Sequence, residues 1–172
     1  MHRDGIRATS VDALAVEAGV TKVTLYRHFG TKSELLEQAL EQRHEERHAQ
    51  LAALLTGAGD SRQGVAAVFD WLHAWFGEPG FRGCAFVQAR VEVGDREPRV
   101  RQITAQHKAQ FAQVLREQFD AAGFADPDEL AGQVQLLVEG ATVLALVDAD
   151  AGHARRAQRA AATLLEGAER AS

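Results

Sequence analysis

Apolar residues recur at helical spacing along almost the whole chain. Val65, Val68, Phe69, Leu72 and Phe76 share one helix face, with Trp71 and Trp75 beside it. Val100, Ile103, His107, Phe111, Val114 and Leu115 make a second stripe that begins just after Pro98. Runs of β-branched residues in strict alternation are absent, so the pattern predicts an all-α fold. Breaks at Gly19-Val20, Gly30-Thr31, Gly57 to Asp60, Gly77 to Gly80, Gly94 to Pro98, Gly123 to Pro127 and near Gly152 delimit about eight helices. The first helices are short and those after Gly30 are long, which separates a small head, residues 1–45, from a larger body, residues 46–172.

In the head, Thr9-Ser10 offers an N-cap and Asp12 follows three residues after Thr9, starting a helix with Val11, Leu14 and Ala15 on one face. Gly19 ends it. Thr21 can cap a second short helix, Lys22 to Phe29, whose inward face carries Leu25 and Phe29. Thr21, Lys22, Thr24, Tyr26, Arg27 and His28 are left facing outward. The stretch from Val20 to Ser33, which also holds Lys32, has three formal positive charges and no acid. Two short helices joined by a glycine turn, the second lined with donors, form a helix-turn-helix suited to a DNA major groove. Thr31-Lys32-Ser33-Glu34 then fits a capping box opening the next helix.

The body reads as a long helix, Glu34 to Leu55, followed by the two stripes above and two final helices. The first of these carries Leu130, Val134, Leu137, Ala141 and Leu144 on one face and Leu136, Val143 and Val147 on another. That arc is too broad for a one-sided surface helix, so it predicts packing on the body and on a second subunit. The last helix is alanine-rich, with Ala154, Ala157, Ala161, Leu164, Leu165 and Ala168 spaced for close approach.

Composition narrows the function classes. The 172 residues are 46% apolar, enough for one substantial core, and the net charge of -5 confines any DNA-reading surface to a local patch. The single cysteine, Cys84, excludes an intrachain disulfide framework, and no apolar signal-peptide region begins the chain; both point to the cytoplasm. Leu130 to Val147 is interrupted by Gln133, Gln135 and Glu139, which argues against a membrane span. No nucleophile–base pair, paired carboxylates, metal cluster or phosphate loop can be assembled, so neither an enzyme nor a cofactor is expected.

Ala8-Thr9-Ser10-Val11, Ala18-Gly19-Val20-Thr21-Lys22, Thr24-Leu25-Tyr26-Arg27-His28-Phe29 and Lys32-Ser33-Glu34-Leu35-Leu36 together resemble the tetracycline-repressor (TetR) family. The resemblance implies a ligand-responsive repressor, homodimeric through its last two helices and bound to a palindromic site on double-stranded DNA. It implies a recognition helix from about Lys22 to Phe29, with Tyr26 and Lys32 on phosphates and Thr21, Lys22, Thr24, Arg27 and His28 near bases or backbone. The family normally has a full amphipathic helix before the segment like Asp4 to Ala8, where this sequence has only Met1-His2-Arg3. Faces around Leu14, Leu25 and Phe29 then lack a partner, each such burial being worth roughly 1.5–3 kcal/mol, so a loosely folded head is expected. Either the start lies upstream or the chain is a shortened form with impaired DNA binding. The rival function is a helical dimer that does not bind DNA and acts as a ligand sink or partner protein.

For the effector, a small apolar molecule, the candidate contacts are Trp71, Trp75, Cys84, Phe86, His107 and Phe111. His107 reads either as a ligand contact or as a core histidine with one hydrogen bond, and Cys84 either as a sensor or as inert packing. His44 and His48, four apart, could clamp a metal or line a solvated helix face.

Overall fold

A computed structural model describes residues 5–171. Its elements run α1 (Val11–Glu17), α2 (Lys22–Phe29), α3 (Lys32–Thr56), α4 (Ser61–Phe76), α5 (Ala85–Val93), a 3-10 turn (Gly94–Arg96), α6 (Pro98–Ala121), α7 (Pro127–Asp148) and α8 (Gly152–Gly167). The fold is all-α, as the periodicity predicts. Two compact units divide the chain: the first takes residues up to Glu46 with Cys84–His107, and the second takes Arg47–Gly83 with the chain from Lys108 onward.

In the first unit, Ile6, Leu36, Leu40, Phe86, Ala89, Val100 and Ile103 form the core, with Cys84 and Val93 half-buried against it. The backbone of Ile6 is tied down from two sides. Its amide and that of Arg7 donate to Glu92 Oε2 at 2.6 and 3.2 Å, while its carbonyl accepts from Lys32 Nζ at 2.5 Å. Ser33 donates to Glu97 at 2.5 Å and Arg99 pairs with Glu41, so α3 is crosslinked by polar contacts at two further points. Of the head side chains expected to lack cover, Leu25 is buried and Leu14 and Phe29 are half-buried; two other apolar residues of the head, Val16 and Val23, are 81% and 77% exposed.

In the second unit, the stripe Val65, Val68, Phe69, Leu72 and Phe76 is buried throughout and packs with α7 and α8. Phe119 and Phe124 meet edge to face within the same core. Gly64 permits the close crossing of α3 and α4: a Cβ there would stand 3.0 Å from the Leu55 carbonyl oxygen and 3.2 Å from its Cα. α8 approaches through alanines, with Ala154, Ala157 and Ala161 buried. Two of its arginines reach acids, Arg155 to Asp70 and Arg156 to Asp150.

α7 is long and apolar enough, by length and composition, to cross a membrane. Its inner face, Leu130, Val134, Val138, Ala141 and Ala145, instead lies in the core, and Glu139 pairs with Lys108 at 2.5 Å. Leu144, which the periodicity assigns to that inner face, is 47% exposed.

Candidate nucleic-acid interface

The head is built from capped helices too short to hold themselves by packing. Ser10, rather than Thr9, caps α1, accepting from the Ala13 amide at 3.1 Å. Thr9 is buried and its hydroxyl donates to the Gly5 carbonyl at 2.6 Å. Thr21 caps α2 through the Thr24 amide at 3.1 Å, and its hydroxyl lies 2.9 Å from that of Thr24. Thr31 caps α3 through the Glu34 amide at 3.1 Å, which is half of the expected capping box. The Thr31 amide donates to the Phe29 carbonyl instead of to the Glu34 side chain. Between α2 and α3 the chain turns at Gly30, whose φ of +63° favours glycine.

These caps aim α2 outward. Leu25 is its one buried residue, while Lys22, Tyr26, Arg27 and His28 are exposed and Thr24 is half-exposed. Lys22, Tyr26 and Arg27, with His28 in the last turn, therefore form one accessible donor surface. Thr21 is exposed as well, but its oxygen is engaged in the cap.

Two of the candidate cations have partners within the head. Lys22 Nζ donates to Asp12 Oδ2 at 3.0 Å, and that hydrogen bond, with the carboxylate's charge, raises the ammonium's pKa above its ordinary value. Lys32 is half-buried on the Ile6 carbonyl. Each ammonium has three donors, so one bond leaves others for a phosphate. Asp12, ten residues before Lys22, is a partner that helix-face arguments alone did not supply.

The candidate effector residues fall into two groups. In the second unit Trp71 and Trp75 stack with centroids 5.3 Å apart, Phe81 meets Trp75 edge-on at 5.0 Å, and the Arg47 guanidinium lies 4.8 and 5.2 Å from the two indole rings. Phe111 is buried in that unit's core. In the first unit Phe86 stacks on His107 at 3.7 Å, and His107 Nδ1 is 3.1 Å from Nδ1 of the buried His44. His44 thus meets His107 across 63 residues of chain. Among the described residues no group of three or more metal-ligating side chains occurs. His44 and Arg47 escape sequence reasoning because both lie in a charged run that reads as a solvated face.

A helix-turn-helix head joined to a helical body defines a class of transcriptional regulator, and comparison with known proteins places the chain within it. The profile described as "Bacterial regulatory proteins, tetR family" matches residues 1–39, and "Tetracyclin repressor-like, C-terminal domain" matches residues 61–161. The chain belongs to the TetR family of transcriptional regulators, which are DNA-binding proteins rather than enzymes. Among curated relatives, the nucleoid occlusion factor SlmA of Escherichia coli is 29% identical over 80% of this chain and 72% of its own length. A TetR-family regulator from Streptomyces coelicolor superposes with a TM-score of 0.88 at 27% identity, covering 96% of this chain and 87% of that one. A cysteine mutant of the TetR-family regulator CifR, solved with a 26-base-pair double-strand operator DNA, shares the fold with a TM-score of 0.78 at 22% identity over 95% and 88% of the two chains.

Proposed function

We propose that this chain is the subunit of a homodimeric repressor that binds a palindromic double-stranded operator and is released by a small apolar effector. In this reading residues 1–45 are the DNA-binding domain and residues 46–172 bind the effector and dimerise. The observation that carries it is the exposed donor face of α2, seated on a buried Leu25 and held by the Thr21 cap. Thr21, Lys22, Thr24, Arg27 and His28 lie near base edges or backbone, while Tyr26 and Lys32 position the helix on phosphates. The CifR complex supports the docking mode by its fold alone.

Dimerisation is favoured by the outer face of α7. Leu136, Val143 and Val147 are 73%, 54% and 72% exposed, and Gly132 and Gly140 continue the same stripe with open space where a Cβ would stand. Such a stripe on a soluble regulator suits a second copy of the same helix, approaching closely at the glycines. A two-fold pair would set its recognition helices on successive major grooves, roughly 34–36 Å apart, or on a larger spacing. The effector would act by favouring a dimer with the wrong spacing. The protein would work in the cytoplasm, where the DNA is.

The decisive experiment measures binding to DNA from upstream of the protein's own gene across a range of salt concentrations. The expected result is affinity that falls linearly on a logarithmic salt axis, weakened by about 1–3 kcal/mol in Arg27→Ala. Sedimentation should show a dimer that Leu136→Glu with Val147→Glu converts to monomer. Absence of salt-dependent binding to that DNA would remove own-promoter repression and favour the partner-protein reading.

A further inference from the structure

We propose that the groove between the first half of α3 and α5, inside the first unit, binds a small amphipathic carboxylate at a site separate from the effector contacts named above. A cavity of about 250 Å³ opens there over a floor of Ile6, Leu36, Leu40, Ala85 and Ala89. Its contributors recur at helical spacing on both walls: 36, 39, 40 and 43 on α3, and 85, 88, 89 and 92 on α5. The cavity therefore lies along the groove between the two helices.

Two charged groups bound the groove, and their bonding states differ. Glu92 already accepts two backbone amides, those of Ile6 and Arg7, so its acceptor capacity toward the head is in use. Arg43 is half-buried beside the apolar floor and, among the described residues, makes no hydrogen bond or ion pair. A guanidinium cannot shed its charge and presents five donors in a fork that matches a carboxylate. Its half-burial takes it partly out of water without supplying a partner. An anion at Arg43 would supply that partner, and an apolar body behind it would cover the floor.

Size narrows the ligand class further. Arg43 and Leu36 are seven residues apart, about 10 Å along the helix, which accommodates an apolar body of roughly six to eight carbons. The volume is below the usual range for a drug-sized ligand, which favours a short single chain or one ring. The carboxylate end belongs at Arg43, because the opposite end carries the negative charge of Glu92. Ile6 forms part of the wall, so an occupied groove would add contacts to the residue that anchors the head.

Calorimetric titration of the whole chain with octanoate, against 1-octanol as the uncharged control, tests this. Two variants accompany it: Arg43→Gln, which removes the charge, and Ala39→Phe, which fills the groove from an exposed position of α3. The expected result is saturable octanoate binding, weakened about tenfold or more in Arg43→Gln and for octanol, and lost in Ala39→Phe. Circular dichroism of both variants should match the parent. Failure of octanoate to saturate the parent, or binding that Arg43→Gln leaves unchanged, would overturn the proposal. These readouts involve no DNA, so they stand apart from the test of repressor function.

Discussion

The helices of the head and those of the second unit are held by different forces. α1 and α2 are seven and eight residues long and bury one residue each, Ala15 and Leu25. Isolated helices of that length are unstable in water. Each is nevertheless closed at its N-terminus by a side-chain cap, Ser10 or Thr21, and the Ile6 backbone ahead of them is clasped by Glu92 and Lys32. In the second unit, α8 also has its first amide held by a side chain, that of Gly152 by Asp150, but it differs in burying Ala154, Ala157, Ala161 and Leu165 against a core that includes Phe69 and Phe119 at 0% exposure. Local hydrogen bonds define the exposed donor face, and packing defines the body. Donors that stay exposed cannot also be buried, so the head helices depend on their ends.

That contrast can be broken most severely in the core. Phe119→Ala should cost about 3–5 kcal/mol in urea unfolding followed by the fluorescence of Trp71 and Trp75, which lie in the same unit. A loss below about 1 kcal/mol would mean that the body does not depend on its packing. Next in size is Gly64→Ala. Its Cβ would meet backbone rather than a flexible side chain, at 3.0 Å from Leu55 O, so the α3–α4 crossing must shift at a cost of about 1–3 kcal/mol in the same assay.

Thr21→Ala sharpens the comparison from the other side. It should destabilise the head by about 1 kcal/mol, seen as faster amide exchange in α2 with α4, α7 and α8 amides unchanged. Equal acceleration everywhere would show that the head does not open independently.

The smallest expected effect concerns acid. Asp150 accepts from the Gly152 amide at 2.8 Å and from Arg156 at 3.0 Å, and these two, the amide first, hold its carboxyl below the usual carboxylate range. A folded-state pKa that is depressed contributes stability above the unfolded value of about 3.9, and that contribution disappears as pH falls through the folded value. Asp150→Asn should therefore lower stability slightly at pH 6 and leave it unchanged at the acid end, as read by thermal melts over that range.

Much of this was legible in the sequence because it depends on near neighbours. Ser and Thr before polar-apolar periodic runs marked the head helices, glycines marked their turns, and the stripe from Val65 to Phe76 marked the core face of α4. Most of what failed to show involved long separations. One local choice also stayed open, whether Thr9 or Ser10 caps α1, because sequence alone does not say which of two adjacent hydroxyls has the extended backbone. Leu144 read as inward because a helical wheel assigns a face without knowing where the neighbouring helix ends.

The sequence by itself determined the helical class, the placing of the helix-turn-helix and the local basic patch, since each follows from periodicity, capping and charge within a few residues. Only the tertiary structure decided that His44 meets His107, that Glu92 clasps Ile6 and Arg7, that Lys22 is held by Asp12, and that Arg43 faces an apolar groove. Those outcomes require residues 10 to 86 positions apart to be brought within hydrogen-bond or packing distance, which depends on how whole helices pack.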